Sequence, residues 1–219
     1  MGGSPSGAAV ISAYAGEGAL SRRALRGLAA LTGTISPMFL LSTVGMWAKD
    51  ARFGRLLLAA NLLGAASAMA LAYATGKDEM PPPSLGASSC EKRESDPISQ
   101  SVQAILGVGG CIVFFSVLAS LPGALFPGKG DTALALLHAV LEVSGGLHAL
   151  LGAPLLPYPR AVLCAAATGF SGLSILVQNM LFLRPLGLTL MQLTAFGLVR
   201  AAGASAAMAL LYPLFFAAG

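Results

Sequence analysis

Charge is what this chain has least of. Only 10% of its 219 residues are Asp, Glu, Lys or Arg, where a soluble domain carries about 25%. With 56% hydrophobic residues, such a chain cannot present a wetted surface over most of its area, so a soluble fold is excluded. It is expected to be an all-α integral membrane protein. Cysteine is also scarce. Cys90, Cys111 and Cys164 are scattered, with no CxxC pair and no metal-ligand spacing, so neither a disulfide framework nor a metal site is expected. Cys111 and Cys164 fall in apolar runs, where small buried thiols are the ordinary reading. No Ser-His-Asp, Cys-His or paired-carboxylate arrangement accompanies the 2 histidines, so neither catalysis nor a cofactor is expected. Residues 1–20 lack the basic region, apolar core and cleavage site of a signal peptide, and targeting is expected from the later apolar spans. The net charge of +4 rests on few residues, most of them between apolar runs. That is a topology signal, and no nucleic-acid partner is expected.

What is present is a series of uncharged runs, each measurable against the roughly 20 apolar residues that a span needs. Gly27 to Ala48 is one, and Leu56 to Gly76 is another. Residues 77–97 then combine Pro81-Pro82-Pro83, serines and charges of both signs. Such a stretch cannot bury a core and reads as an exposed polar loop. It divides a first part, 1–76, from a second, 98–219. The second part opens with a span over about Ile98 to Leu121, closed by Pro122-Gly123 and Pro127-Gly128. A helix capped by Asp131 carries His138, Glu142 and His148 towards Pro154. Ala161 to Leu183 follows between Arg160 and Arg184, and a final helix, about Leu188 to Phe216, holds the lone charge Arg200.

Three places put polar or helix-breaking groups at membrane depth. In Thr32-Gly-Thr-Ile-Ser-Pro-Met-Phe39, Pro37 lacks an amide hydrogen and disfavours helix at Ser36. An ordinary proline kink and a discontinuous helix facing a cavity both fit. In Ala167-Thr-Gly-Phe-Ser-Gly-Leu-Ser174, the residues Gly169, Ser171, Gly172 and Ser174 argue against an unbroken helix. A re-entrant hairpin, with Arg160 and Arg184 at one interface, is favoured over a single kinked span. The third is Glu142, with His138 one turn before it. An ionisable residue at this depth suggests function, although a structural pair of Glu142 with Arg200 fits as well.

These residues resemble a known family. "GGSPSGAAVISAYAGEGALSRRALRGLAALTGTISPMFLLSTVG", "LEVSGG" and "GFSGLSILVQ" are similar, in that order, to stretches of the YlbJ-type sporulation integral membrane proteins. That family shares the Gate, or nucleoside-recognition, domain and resembles concentrative nucleoside transporters in plan. The similarity runs from Gly3 to about Leu214. It implies an inverted-repeat, transporter-like bundle with re-entrant hairpins and broken helices. It further implies a substrate site at mid-depth formed by Ser4, Pro5, Gly7, Ser36, Pro37, Glu142, Gly169, Ser171, Gly172, Ser174 and Gln178. The implied cargo is a small polar or anionic metabolite, with dipicolinate the named candidate. The implied role is in spore formation, in the cell membrane or the forespore membrane; a non-transporting scaffold of cortex assembly is the other reading. Relatives carry further helices before the first tip. The missing arm is therefore expected from a second polypeptide or a second copy of the chain, inserted against Ser4 to Ala8.

Overall fold

The computed structural model describes residues 4–16, 21–76, 97–125 and 131–216, and every regular element among them is helical. The polar stretch 77–96 lies outside the described residues. Helices α1 (Ser6–Gly16) and α2 (Arg22–Thr32) lead through a π-helical segment, Phe39–Val44, into the short α3 (Gly45–Trp47). Then come α4 (Ala51–Ala74) and α5 (Pro97–Leu125). The remainder comprises α6 (Asp131–Leu141), α7 (Val143–Gly152), α8 (Pro157–Phe170), α9 (Gly172–Leu183) and α10 (Leu190–Phe216). A 3-10 turn, Arg184–Leu186, joins the last two.

Local chemistry sets the boundaries. The Ser21 hydroxyl accepts the Ala24 amide at 3.2 Å and starts α2. The Asp50 carboxylate accepts the Arg52 amide at 2.8 Å and starts α4. Pro157 begins α8, where a missing amide costs nothing. Between α8 and α9, Ser171 (φ 73°) and Gly172 (φ 77°) are both left-handed. Glycine accepts that conformation freely, whereas the serine does not.

Four stretches are long and apolar enough to cross a bilayer: Ala51–Ala74, Ser101–Leu125, Pro157–Leu186 and Leu190–Phe216. At 1.5 Å per residue α4 alone spans about 36 Å. Large apolar side chains face outward, among them Ile105, Leu106, Val113 and Phe114 on α5, a surface suited to lipid and not to water. The chain is an all-helical membrane protein.

The centre is the crossing of α4 and α10. A Cβ on Gly64 would stand 2.5 Å from the Arg200 carbonyl oxygen, and one on Gly203 would stand 3.0 Å from the Gly64 Cα. Only glycines permit so close an approach, the usual device of membrane helices that lack a hydrophobic force to join them. Helix α2 lies along α4, and α8 lies along α10. Two apolar clusters fill the halves of this frame. One joins Leu57, Leu147, Cys164 and Met208; the other joins Ala30, Ala68, Leu176 and Phe196.

The structure moves the fold-back. Helices α6 and α7 pack side by side around Glu142, with Gly146 pressed on the backbone of Ala139. Helix α8 makes no comparable side-by-side packing with α9. Arg160 shares a cavity with Lys49, Asp50 and Phe216, where α4 begins and α10 ends. Gly187, beside Arg184, shares one with Arg22, Thr75 and Gln192, where α4 ends and α10 begins. The hairpin expected between Arg160 and Arg184 is therefore replaced by an interrupted helix whose flanking arginines lie at opposite ends of the molecule. Proline and glycine content cannot separate these cases; what decides is whether the two arms can pack on each other, and only α6 and α7 do.

Two outcomes are expected. Single cysteines replacing Arg160 and Arg184, in a background free of the native cysteines, should label from opposite faces with an impermeant thiol reagent. Gly64→Ala should lower thermal stability by about 1–3 kcal/mol through overpacking at the crossing, measured by melting in detergent.

Candidate functional site

A helix broken inside a membrane leaves its last four carbonyls without partners, and hydrocarbon offers none. Both breaks here fall beside the middle of α10, and the sequence supplies donors for several of the exposed oxygens. At the end of α2, the Ser4 hydroxyl donates to the Thr32 carbonyl at 3.1 Å and the Ser4 amide to the Thr34 carbonyl at 3.0 Å. The Ser171 hydroxyl lies 3.0 Å from the Gly33 carbonyl and 3.1 Å from that of Thr168. The Ser171 amide donates to the Ala167 carbonyl at 3.0 Å. Serine at these positions thus stitches one broken helix to the other.

Arg200 completes the stitch. It lies near the middle of α10 and is 1% exposed. Its Nε donates to the Gly169 carbonyl at 3.1 Å, and its Nη1 donates to the Ala30 carbonyl at 3.0 Å. Each acceptor belongs to the last turn of its helix, so the cation rests against the negative ends of two helix dipoles at once. Charge-assisted bonds of this kind are the stronger sort. The third nitrogen, Nη2, is buried and has no partner. Gly33 makes room for the guanidinium, since a Cβ there would stand 2.7 Å from Nη1.

Two asparagines extend the polar core. Asn61 on α4 donates to the Thr168 hydroxyl at 2.8 Å and to the Leu57 carbonyl at 2.9 Å. Asn179 on α9 donates to the Ser4 hydroxyl at 3.1 Å. In both, the side-chain oxygen is buried without a partner. Three buried polar atoms thus retain unused bonding capacity, a condition that native interiors seldom leave unfilled.

Glu142 does something different. Its two carboxylate oxygens accept the Ser144 and Gly145 amides, each at 2.8 Å, and so cap α7. The positive end of α7 is neutralised from within. Among the described residues no ion pair joins Glu142 to Arg200 or to His138, so the alternative of a structural Glu142–Arg200 pair is not seen and backbone groups hold both charges. The α6–α7 tip is nonetheless at the second break, because Gly172 packs against the Val143 amide and the Ala139 carbonyl. The first turn of α9 has no side-chain cap.

Of the residues expected at the site, Ser4, Gly169, Ser171 and Gly172 meet at the two breaks, with Gly7 packed on Thr32. Pro5 accepts the Ala9 amide and starts α1. Ser174 and Gln178 bond to each other at 3.0 Å within α9, one turn further on. The Ser36 carbonyl accepts the Leu40 amide, and Ser36 and Pro37 direct the chain into the π-helical segment. Ser4, expected to meet an arm from another polypeptide, is bonded within the chain through both amide and hydroxyl. Arg200, Asn61 and Thr168 were not among the expected site residues. Arg200 and Asn61 are each a polar residue alone in an apolar run, and that isolation was the available signal; Thr168 belongs to the polar stretch that ends at Ser174. Among the described residues no three His, Cys, Asp or Glu side chains converge as metal ligands.

No protein-family model, curated protein or solved structure matches this chain.

Arg200→Met should leave the Ala30 and Gly169 carbonyls orphaned, at about 1–3 kcal/mol for each unpaired group. Arg200→Lys keeps the charge but has one point donor for two separated oxygens. Melting of purified protein in detergent should fall for both variants, and less for lysine.

Proposed function

We propose that the protein is a membrane transporter, or a permease subunit, that moves a small polar or anionic metabolite. The observation that carries this reading is the mid-depth cluster at Arg200, where a buried guanidinium nitrogen without a partner adjoins two interrupted helices. Interrupted helices with ends at the midplane are how secondary transporters place backbone amides and carbonyls around a solute. The uncapped first turn of α9 offers amides to an anion, and Arg200 offers charge. The neutralised end of α7 argues against an anion there, which leaves the α9 side as the better pole.

We also propose that the two halves form an inverted repeat. In each, a polar tip, an interrupted helix and an unbroken span follow in order. Ser4-Pro5, the α2 break and α4 stand against Glu142, the α8–α9 break and α10. The glycine-to-glycine meeting of Gly64 and Gly203 supports a pseudo-twofold axis at the crossing. The sequence resemblance adds spore formation as the setting, the Gate family as the lineage and dipicolinate as the candidate cargo. No catalytic role belongs to this reading. A non-transporting scaffold for cortex assembly is the second reading, favoured by how fully the broken ends are satisfied within the chain.

Uptake of radiolabelled dipicolinate into vesicles containing the purified protein separates the two. Saturable uptake is expected, and a scaffold gives none. Glu142→Gln keeps one of the two acceptors of the α7 cap, turns an NH2 toward the other amide and removes charge at the tip. It should melt lower in detergent while still accumulating, and transport at least about tenfold more slowly, the range of a lost charged interaction. Normal uptake by this variant would remove Glu142 from the mechanism.

A further inference from the structure

At the end of the molecule where α2 and α10 begin and α4 stops, a cavity of about 200 Å³ is lined by Arg22, Arg26, Thr75, Gly187 and Gln192. Arg22 and Arg26 stand four residues apart on one face of α2, a spacing at which like charges repel. The Nε of Arg26 is shielded from solvent and has no hydrogen-bond partner. No described carboxylate forms an ion pair with either arginine. The neighbouring Arg23 is otherwise engaged, its Nε donating to the Tyr73 carbonyl at 2.7 Å and its guanidinium lying 4.2 Å from the centre of the Tyr73 ring. Gln192 has its oxygen occupied by the Thr189 amide at 3.0 Å, which leaves its side-chain NH2 as a donor. Two guanidinium forks and an amide donor around one small cavity form an acceptor-seeking set, and their geometry suits a tetrahedral oxyanion.

We infer that this cavity binds a phosphate-class oxyanion, presented either by an anionic phospholipid headgroup or by a free phosphomonoester. The cavity lies at the ends of α4 and α10, at the level where headgroups sit. Basic pockets between membrane helices are suited to lipid phosphates there. The cavity at the opposite end differs. Asp50 lines it, and the Arg160 Nη1 already donates to the Leu151 carbonyl at 3.0 Å. The inference is independent of transport: the site is distant from Arg200, and a protein that moved nothing would still hold it.

The test uses the full chain, purified in neutral detergent and delipidated, with melting followed during titration. The probes are short-chain phosphatidylglycerol, short-chain phosphatidylcholine and glycerol 3-phosphate. Phosphatidylglycerol should raise the melting temperature in a saturable manner and more strongly than phosphatidylcholine. Stabilisation by glycerol 3-phosphate as well would identify a free phosphomonoester as a sufficient ligand, whereas a response to lipid alone would identify the headgroup. The double variant R22Q/R26Q should weaken the apparent affinity about 25-fold, at about fivefold per cation. R52Q/R55Q, at the other end, should leave it unchanged. Where R22Q/R26Q does not accumulate, R26K, which keeps the charge but loses Nε, should weaken binding about fivefold. No response to any probe, equal responses in the two double variants, or unaltered binding by R26K would overturn the site.

Discussion

An arginine that cannot reach water must be held by the protein, and Arg200 is held by two helix ends that would otherwise lack partners. Inserting arginine at the bilayer centre costs about 2.5–3.5 kcal/mol on insertion scales, and leaving two carbonyls unpaired costs about 1–3 kcal/mol each. Each problem answers the other. The guanidinium takes the Ala30 and Gly169 carbonyls, and the ends of α2 and α8 supply the negative poles that a buried cation needs. Much else follows from where this contact sits. Gly33 must be small beside the guanidinium, Gly169 must lie flat on α10, and Gly64 must meet the Arg200 carbonyl closely.

The same arrangement explains how irregular backbone persists at a depth where it is normally excluded. The breaks after Thr32 and Phe170 face one another across the buried Ser171, and Ser4 closes the first of them. Such a joint adds a few polar contacts between the two halves of the molecule, which the apolar clusters also bridge: one packs Leu57 against Leu147 and Met208, the other Ala30 and Ala68 against Leu176 and Phe196. A solute that offered acceptors to Arg200 would compete with the carbonyls it now holds. On the transport reading proposed above, loosening of the joint upon binding would couple the solute to a change of conformation.

The broad fold was legible because it rests on composition. Too few charges and long uncharged runs leave only helices in a membrane, and Pro37, Gly169 and Gly172 marked where those helices stop. The seam was legible in part, through Ser4, Ser171 and Gly172, since serine and glycine in an apolar run announce backbone that needs help. Two things were hidden for physical reasons. Whether α8 and α9 fold back depends on packing between their arms, which proline and arginine flanks do not encode; the true fold-back at Glu142 is a single-residue break with no proline. Arg200 suggested a carboxylate partner because opposite charges are the simplest pairing to read from a sequence. Backbone carbonyls carry no sequence signature, so an arginine held by them looks the same as one waiting for an acid.

The seam at Arg200 is tested most directly by a double-mutant cycle with Gly33. A methyl group at position 33 would meet the guanidinium first, at 2.7 Å from Nη1, and its three nearest neighbours would all be Arg200 atoms. Gly33→Ala should therefore lower the melting temperature in the native chain and have little effect in an Arg200→Ala background. The coupling should fall in the range of about 0.5–3 kcal/mol found for residues in contact. Strictly additive effects would show that Arg200 does not lie against the broken end of α2, and the account of how this membrane protein closes its interrupted helices would be wrong.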